Sequence, residues 1–156
     1  MEIERKYLIN RLPEFIDTVG GIDYEQAYLC SEPVVRVRRE GEEYWMTYKS
    51  KGLMIREEYN LPLTKESYYH LLSKADSQII HKTRYFIPLD EKHVAELDIY
   101  HDFLSPLITC EVEFSDKEDA ETFISPEWFG PEVTFDSRYQ NNRLAFISRE
   151  ELMSLL

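Results

Sequence analysis

Polar and apolar residues alternate along most of this chain, and the alternation has period two. The first residues set the pattern: Glu2, Glu4 and Lys6 interleave with Ile3, Arg5 and Tyr7. Successive side chains of a strand point to opposite faces, so a strand here puts two carboxylates and an ammonium on one side. The same rhythm predicts strands over roughly 2–9, 24–30, 34–40, 43–50, 55–61, 78–87, 93–100 and 107–114. Gly41 and Gly52 fall in tight connections between strands, and Pro62, Pro88 and Pro106 fall at strand ends, where a missing N–H does least harm. Helical signals are shorter. Thr64 caps a segment running to about Ala75, with Tyr68, Leu71 and Leu72 on its apolar stripe. Ser115 to Glu118 and Ser148 to Glu151 both have the form of a capping box, and residues 138–147 read as one more short helix. Mainly β structure with a few short flanking helices follows. The expected architecture is an eight-stranded antiparallel sheet closed into a barrel, in one domain spanning residues 1–156.

An antiparallel sheet with one solvated face also alternates, but such faces usually interleave opposite charges. Here most pairs carry a single sign. Arg36 and Arg38 share a face, as do Lys82 and Arg84; Glu96 goes with Asp98, and Glu111 with Glu113. Residues two apart on a strand are about 7 Å apart, and like charges at that distance repel by roughly 2 kcal/mol at an effective dielectric near 20. Pairs of this kind make sense when a counter-ion lies between them. Carboxylate pairs suit a hard divalent cation such as Mg²⁺ or Mn²⁺, and Arg and Lys pairs suit phosphate oxygens. Acidic and basic pairs facing one space therefore point to metal plus polyphosphate, with the charges on the inside and the apolar faces covered by helices.

Composition narrows the field. Acidic residues outnumber basic ones 30 to 18, for a formal net charge of −12, which disfavours nucleic acid and anionic membranes as partners. No apolar run is long enough to span a bilayer, the first residues are charged rather than signal-like, and Cys30 and Cys110 have neither metal-site nor disulfide spacing. These features predict a cytoplasmic protein with reduced thiols. His70, His81, His93 and His101 share no spacing and are read as structural.

In their order along the chain, these motifs resemble the CYTH family, the triphosphate tunnel metalloenzymes. Glu2-Ile-Glu4-Arg-Lys6 stands as the ExExK motif, followed by QAYL at 26–29, RVR at 36–38, Lys49, REEY at 56–59, KTRY at 82–85, ELD at 96–98, EVEF at 111–114 and SRYQN at 137–141. The resemblance covers nearly the whole chain and is nearest to the short bacterial members. It implies an eight-stranded tunnel that binds a triphosphate with Mg²⁺ or Mn²⁺. Carried over, Glu2, Glu4, Glu111 and Glu113 are metal ligands, with Glu96 and Asp98 as auxiliary acids. Lys6, Arg36, Arg38, Lys49, Lys82 and Arg84 hold phosphate oxygens, and Arg56 joins Glu58 in a mixed patch of the substrate wall. Arg138 reaches the tunnel mouth, and Glu4, Lys6 and Glu111 form the catalytic set. Ala27 and Gln140 depart from the family pattern, which commonly has glycine and lysine there.

The implied activity is hydrolysis of a small-molecule triphosphate, foremost inorganic tripolyphosphate to phosphate and pyrophosphate. A CYTH-type adenylate cyclase, a thiamine or nucleoside triphosphatase, and a phosphate-binding module without turnover are the alternatives. A homodimer is compatible with the sequence but not specified by it.

Overall fold

The computed structural model describes residues Met1–Leu156, and its nine strands form one antiparallel sheet. The strands are β1 (Glu2–Leu8), β2 (Gly21–Cys30), β3 (Val34–Glu40), β4 (Glu43–Lys49), β5 (Ile55–Arg56), β6 (Glu58–Pro62), β7 (Ile80–Pro88), β8 (Val94–Tyr100) and β9 (Ile108–Glu113). They lie in the order β5-β1-β9-β8-β7-β2-β3-β4-β6. Four short helices complete the chain: α1 (Lys65–Leu72), α2 (Lys117–Thr122), α3 (Asn141–Leu144) and α4 (Arg149–Leu155).

The expected closed eight-stranded barrel does not form. The stretch 55–61, read as one strand, breaks at Glu57. Its first part pairs with β1 and its second with β4, so β5 and β6 are the two edges of an open sheet, with no ladder between them. The cause is local. The Glu57 N–H donates to Ser50 Oγ at 2.9 Å, and its carbonyl accepts from the Ser50 N–H at 3.0 Å. Glu57 therefore has no backbone group left to continue the β1 pairing.

The sheet is nevertheless strongly curled. β1 and β4 are far apart in strand order, yet Lys49 Nζ of β4 lies 3.1 Å from Glu2 Oε2 of β1. Register decides what the concave face carries, because residues directly opposite one another share a face. Glu4 opposes Glu113, Lys6 opposes Glu111, and Glu111 in turn opposes Glu96. Arg84 opposes Asp98, Arg36 opposes Thr47, and Lys49 opposes Glu58. The charged pairs thus converge on one concave surface.

The convex face is apolar and partly covered. Leu97, Cys110 and Val112 are fully buried there beneath Ala120 of α2 and the side chains of Leu12, Ile16, Phe123 and Trp128. One end of the concave face is apolar too. Tyr28, Val34, Ile80 and Tyr100 continue the rows of Gln26, Arg36, Lys82 and Asp98, and Leu144 of α3, Leu152 of α4 and Ile147 between them seal this end. Burying a leucine of this kind is worth about 1.5–3 kcal/mol, so the C-terminal helices plug this end firmly.

Helix ends follow the sequence only in part. Thr64 caps α1 by accepting from the Ser67 N–H, and Ser148 and Glu151 complete the capping box of α4. The Ser115 box does not form: Asp116 is the cap, accepting from the Asp119 N–H at 2.7 Å. Residues 138–147 split into a 3-10 turn (Ser137–Tyr139) and α3, because Gln140 between them is extended (φ −68°, ψ 140°). Gly41 takes φ 59° in the β3–β4 turn, a conformation that favours glycine. Both cysteines are free, and no helix is long and apolar enough to cross a membrane.

Candidate active site

A cavity of about 90 Å³ lies in the concave face, and no hydrophobic residue lines it. Glu2, Glu4, Glu111 and Glu113 stand on one side, and Arg36, Arg38 and Lys49 belong to the opposite strands. A smaller space of about 40 Å³ adjoins it, sharing Glu4, Arg36, Lys49, Glu111 and Asn141, and brings in Lys6 and Arg56. Alternation puts these side chains on one face, and the curl brings strands from opposite ends of the sheet within reach of each other.

The acids do not all ionise freely. Burial, reinforced by the neighbouring Glu111 charge, raises the Glu4 carboxyl well above the usual range. Glu111 goes the other way. Burial pushes it up, but Lys6, a hydrogen bond with Glu4, and Arg84 outweigh that and hold it well below the usual range. Two carboxyls sharing one buried site resist ionising together. Burial pushes Glu2 up to about 7 despite Lys49 and Arg56. Glu58 is also pushed up by burial, but contacts with Glu2, Lys49 and Asn60 hold it down at about 2. Burial raises Glu96 and Glu113 as well. Crowded carboxyls whose ionisation is suppressed are chemically suited to a cation, which would favour their charged forms. No three His, Cys, Asp or Glu side chains converge closely enough to cage a metal alone. That fits Mg²⁺, which takes one or two carboxylates and completes its shell with water and phosphate oxygens.

The basic side chains divide into two groups. Arg36 is buried, and its Nη2 donates to Thr47 Oγ1 at 3.3 Å; its Nε has no partner. Arg38 pairs with Glu40 at 2.5 Å, and its buried Nε is also without a partner. Burial, with repulsion from Arg36 and Arg84, lowers the Arg38 guanidinium from its usual value. Buried donors without acceptors are costly, and both belong to arginines that line the cavity, where a small movement would let an incoming acceptor satisfy them. The second group is internally satisfied. Asp98 accepts from Lys82 Nζ at 2.8 Å and from Arg84 Nε and Nη2 at 2.8 and 2.9 Å. Lys82 and Asp98 are fully buried and lie behind the cavity wall; the Lys82 ammonium sits 5.8 Å from the Tyr24 ring and 5.6 Å from the Tyr100 ring. Arg84 reaches the cavity and also contacts Glu96 at 3.2 Å.

A comparison with known proteins decides the family. An inorganic triphosphatase from Nitrosomonas europaea is 38% identical over 147 residues, spanning 92% of this chain and 96% of that protein. The chain belongs to the inorganic triphosphatase family. A second inorganic triphosphatase, from Acetivibrio thermocellus, is 30% identical over 148 residues and spans 92% of each chain. The crystal structure of an inorganic triphosphatase superposes with a TM-score of 0.70 at 36% identity, covering 94% of this chain and 95% of that one. No family model matches the sequence.

Within this triphosphatase-family chain, the structure gathers Glu2, Glu4, Arg36, Arg38, Lys49, Arg84, Glu96, Glu111 and Glu113 around one cavity, with Lys6 and Arg56 beside it. Lys82 and Asp98 are not on its surface. Arg138 lines neither space itself; its exposed guanidinium pairs at 2.5 Å with Asp136, which lines the smaller one. Lys6 Nζ donates to the Tyr139 carbonyl at 2.7 Å. The sequence reading passed over Thr47, Asn60 and Asn141. Thr47 Oγ1 donates to Asn60 Oδ1 at 2.5 Å beside Arg36, and Asn141 lines both spaces while accepting from the Tyr100 hydroxyl. Period two could have found the first two, since Thr47 precedes Lys49 by two and Asn60 follows Glu58 by two. Nothing local marks Asn141, whose place depends on the packing of α3.

Proposed function

We propose that this protein hydrolyses inorganic tripolyphosphate to phosphate and pyrophosphate with Mg²⁺ or Mn²⁺. The observation that carries this reading is the pair of unpartnered donors, Arg36 Nε and Arg38 Nε, on a wholly polar cavity whose other wall is crowded carboxyls. The order of its motifs supports a CYTH-type placement within the triphosphatase family.

The named substrate of the two relatives is the same class of polyanion that the cavity suits. Arg36, Arg38 and Lys49 hold the phosphate oxygens, and Arg84 is braced by Asp98 so that its guanidinium stays at the cavity edge. Glu4 and Glu111 hold the cation, with Glu2 and Glu113 beside them. Mg²⁺ or Mn²⁺ held by these carboxylates would supply charge neutralisation for the phosphate oxygens. Water attacks the terminal phosphorus, the bond to the bridging oxygen breaks, and pyrophosphate leaves. The proton lost by the water leaves with the products, whose phosphate oxygens can take it. The cavity's freedom from apolar lining favours an all-phosphate substrate over a nucleotide.

The test is a kcat/KM comparison of tripolyphosphate, ATP and thiamine triphosphate at one Mg²⁺ concentration, scoring phosphate, pyrophosphate and cyclic AMP. Tripolyphosphate is expected to lead. Cyclic AMP as the main product from ATP would replace the proposal with the cyclase alternative.

A further inference from the structure

The cavities described above open onto a larger one, most of whose residues have no assigned role. It measures about 480 Å³, some five times the 90 Å³ inner cavity, and shares Lys49, Arg56 and Gln140 with the small space between them. The loop after β4 bounds one side and the start of α3 the other. Gln140 Nε2 donates to the Gly52 carbonyl at 3.4 Å, and Asn142 Nδ2 donates to the Ser31 carbonyl at 3.2 Å, so the two sides are tied together.

Its charge is opposite to that of the protein. Lys49, Lys51, Arg56 and Arg143 lie on its wall against a single acid, Glu32, in a chain with a net charge of −12. Lys49 and Arg56 already face Glu2 at 3.1 and 3.5 Å. Lys51 and Arg143 form no ion pair at all; Arg143 makes only a long contact from Nη1 to Ser137 Oγ at 3.5 Å. Both are exposed on the cavity wall, so an anion entering the cavity can reach them without breaking an existing pair. The wall is equally informative about what it would not take. Its apolar residues are Val34, Leu53 and Pro33, and it has no aromatic side chain on which a base could stack.

We propose that this vestibule is a second anion subsite, which takes the further phosphate units of a linear polyphosphate longer than three. It rests on the proposed function: the terminal units occupy the inner cavity, and the rest of the chain runs out past Lys49 and Arg56 to Lys51 and Arg143. The subsite discriminates by length. Tripolyphosphate is accommodated inside, whereas each additional unit meets a cation that has no other partner.

The test uses the whole protein with Mg²⁺ and compares tripolyphosphate with tetrapolyphosphate and long-chain linear polyphosphate. The Lys51→Ala/Arg143→Ala double variant is expected to lose about tenfold in kcat/KM on the longer chains, chiefly through KM, the scale of one charge-assisted hydrogen bond. On tripolyphosphate it is expected to lose less than about twofold. A Lys51→Gln/Arg143→Gln variant with an unchanged melting temperature guards against an effect of folding. Equal losses on short and long chains, or no loss on either, would overturn the subsite. Calorimetric binding of the same polyphosphates separates the two claims. If tripolyphosphate is bound but never hydrolysed, the proposed function falls, while a length-dependent loss of binding in the double variant upholds the subsite and its absence removes it.

Discussion

Replacing Asp98 by asparagine tests the brace behind the active-site wall. Asp98 is fully buried and takes three hydrogen bonds from two cations, Lys82 and Arg84. Burial pushes its carboxyl up, but Arg84 and then Lys82 outweigh burial and hold it below its usual value. Lys82 is nonetheless drawn down to about 7, since burial and two nearby arginines oppose the one carboxylate it shares. The two shifts agree once the triad is taken as one carboxylate serving two cations. Breaking a buried ion pair by removing one partner costs about 3–5 kcal/mol. Arg84 retains Glu96 at 3.2 Å and Glu111 at 3.9 Å, and Lys82 can shed its proton, so the lower end applies. At roughly 2–4 °C per kcal/mol for a chain of this size, Asp98→Asn should lower the melting temperature by roughly 6–12 °C. Thermal unfolding followed by circular dichroism, with a denaturant titration, measures it. Activity should fall with it, because Arg84 is no longer held to the wall. A melting temperature within about 2 °C of wild type would refute the reasoning, since no surface substitution is expected to cost more than about 0.5 kcal/mol.

Glu4→Gln mimics the protonated acid, so the melting temperature should hold or rise while turnover of tripolyphosphate disappears; a clear loss of stability would make Glu4 structural. Arg36→Ala should weaken calorimetric binding of tripolyphosphate more than of pyrophosphate, because the longer chain reaches more of the basic wall, and an equal effect on both would count against that role. His93 lies between Asp90 at 2.8 Å and Asp119 at 2.9 Å; burial lowers its imidazole, but the two carboxylates outweigh burial and raise it above its ordinary value. Its stabilising contribution is therefore full below about pH 6.5 and lost as pH rises through the raised folded value. Asp119→Asn should flatten that part of a melting-temperature profile, and an unchanged profile would dismiss the linkage.

The period-two pattern made the concave face legible because strand geometry alone assigns Glu2 and Glu4, Arg36 and Arg38, or Glu111 and Glu113 to a common side. It could not show depth along that face. Lys82 and Asp98 follow the same alternation as Arg84 and Glu96, yet they sit toward the apolar end that α3 and α4 seal, and they pair with each other instead of facing the cavity. The break at Glu57 was hidden for a similar reason. It depends on Ser50, seven residues earlier, taking both backbone groups of Glu57, and that contact turns an expected eight-stranded closed barrel into a nine-stranded open sheet. Arg138 was carried to the site by a motif; its guanidinium rests on Asp136, a lining residue of the smaller space, rather than facing the cavity itself.

The central claim is that the crowded carboxyls and the unpartnered arginines of the concave face together make a metal-dependent triphosphate hydrolase. Phosphorus NMR of tripolyphosphate incubated with the protein tests it most directly, run once with Mg²⁺ and once with excess chelator. The account predicts equal amounts of phosphate and pyrophosphate with the metal and intact tripolyphosphate with the chelator. Turnover at the same rate in chelator, or none under either condition, would contradict it.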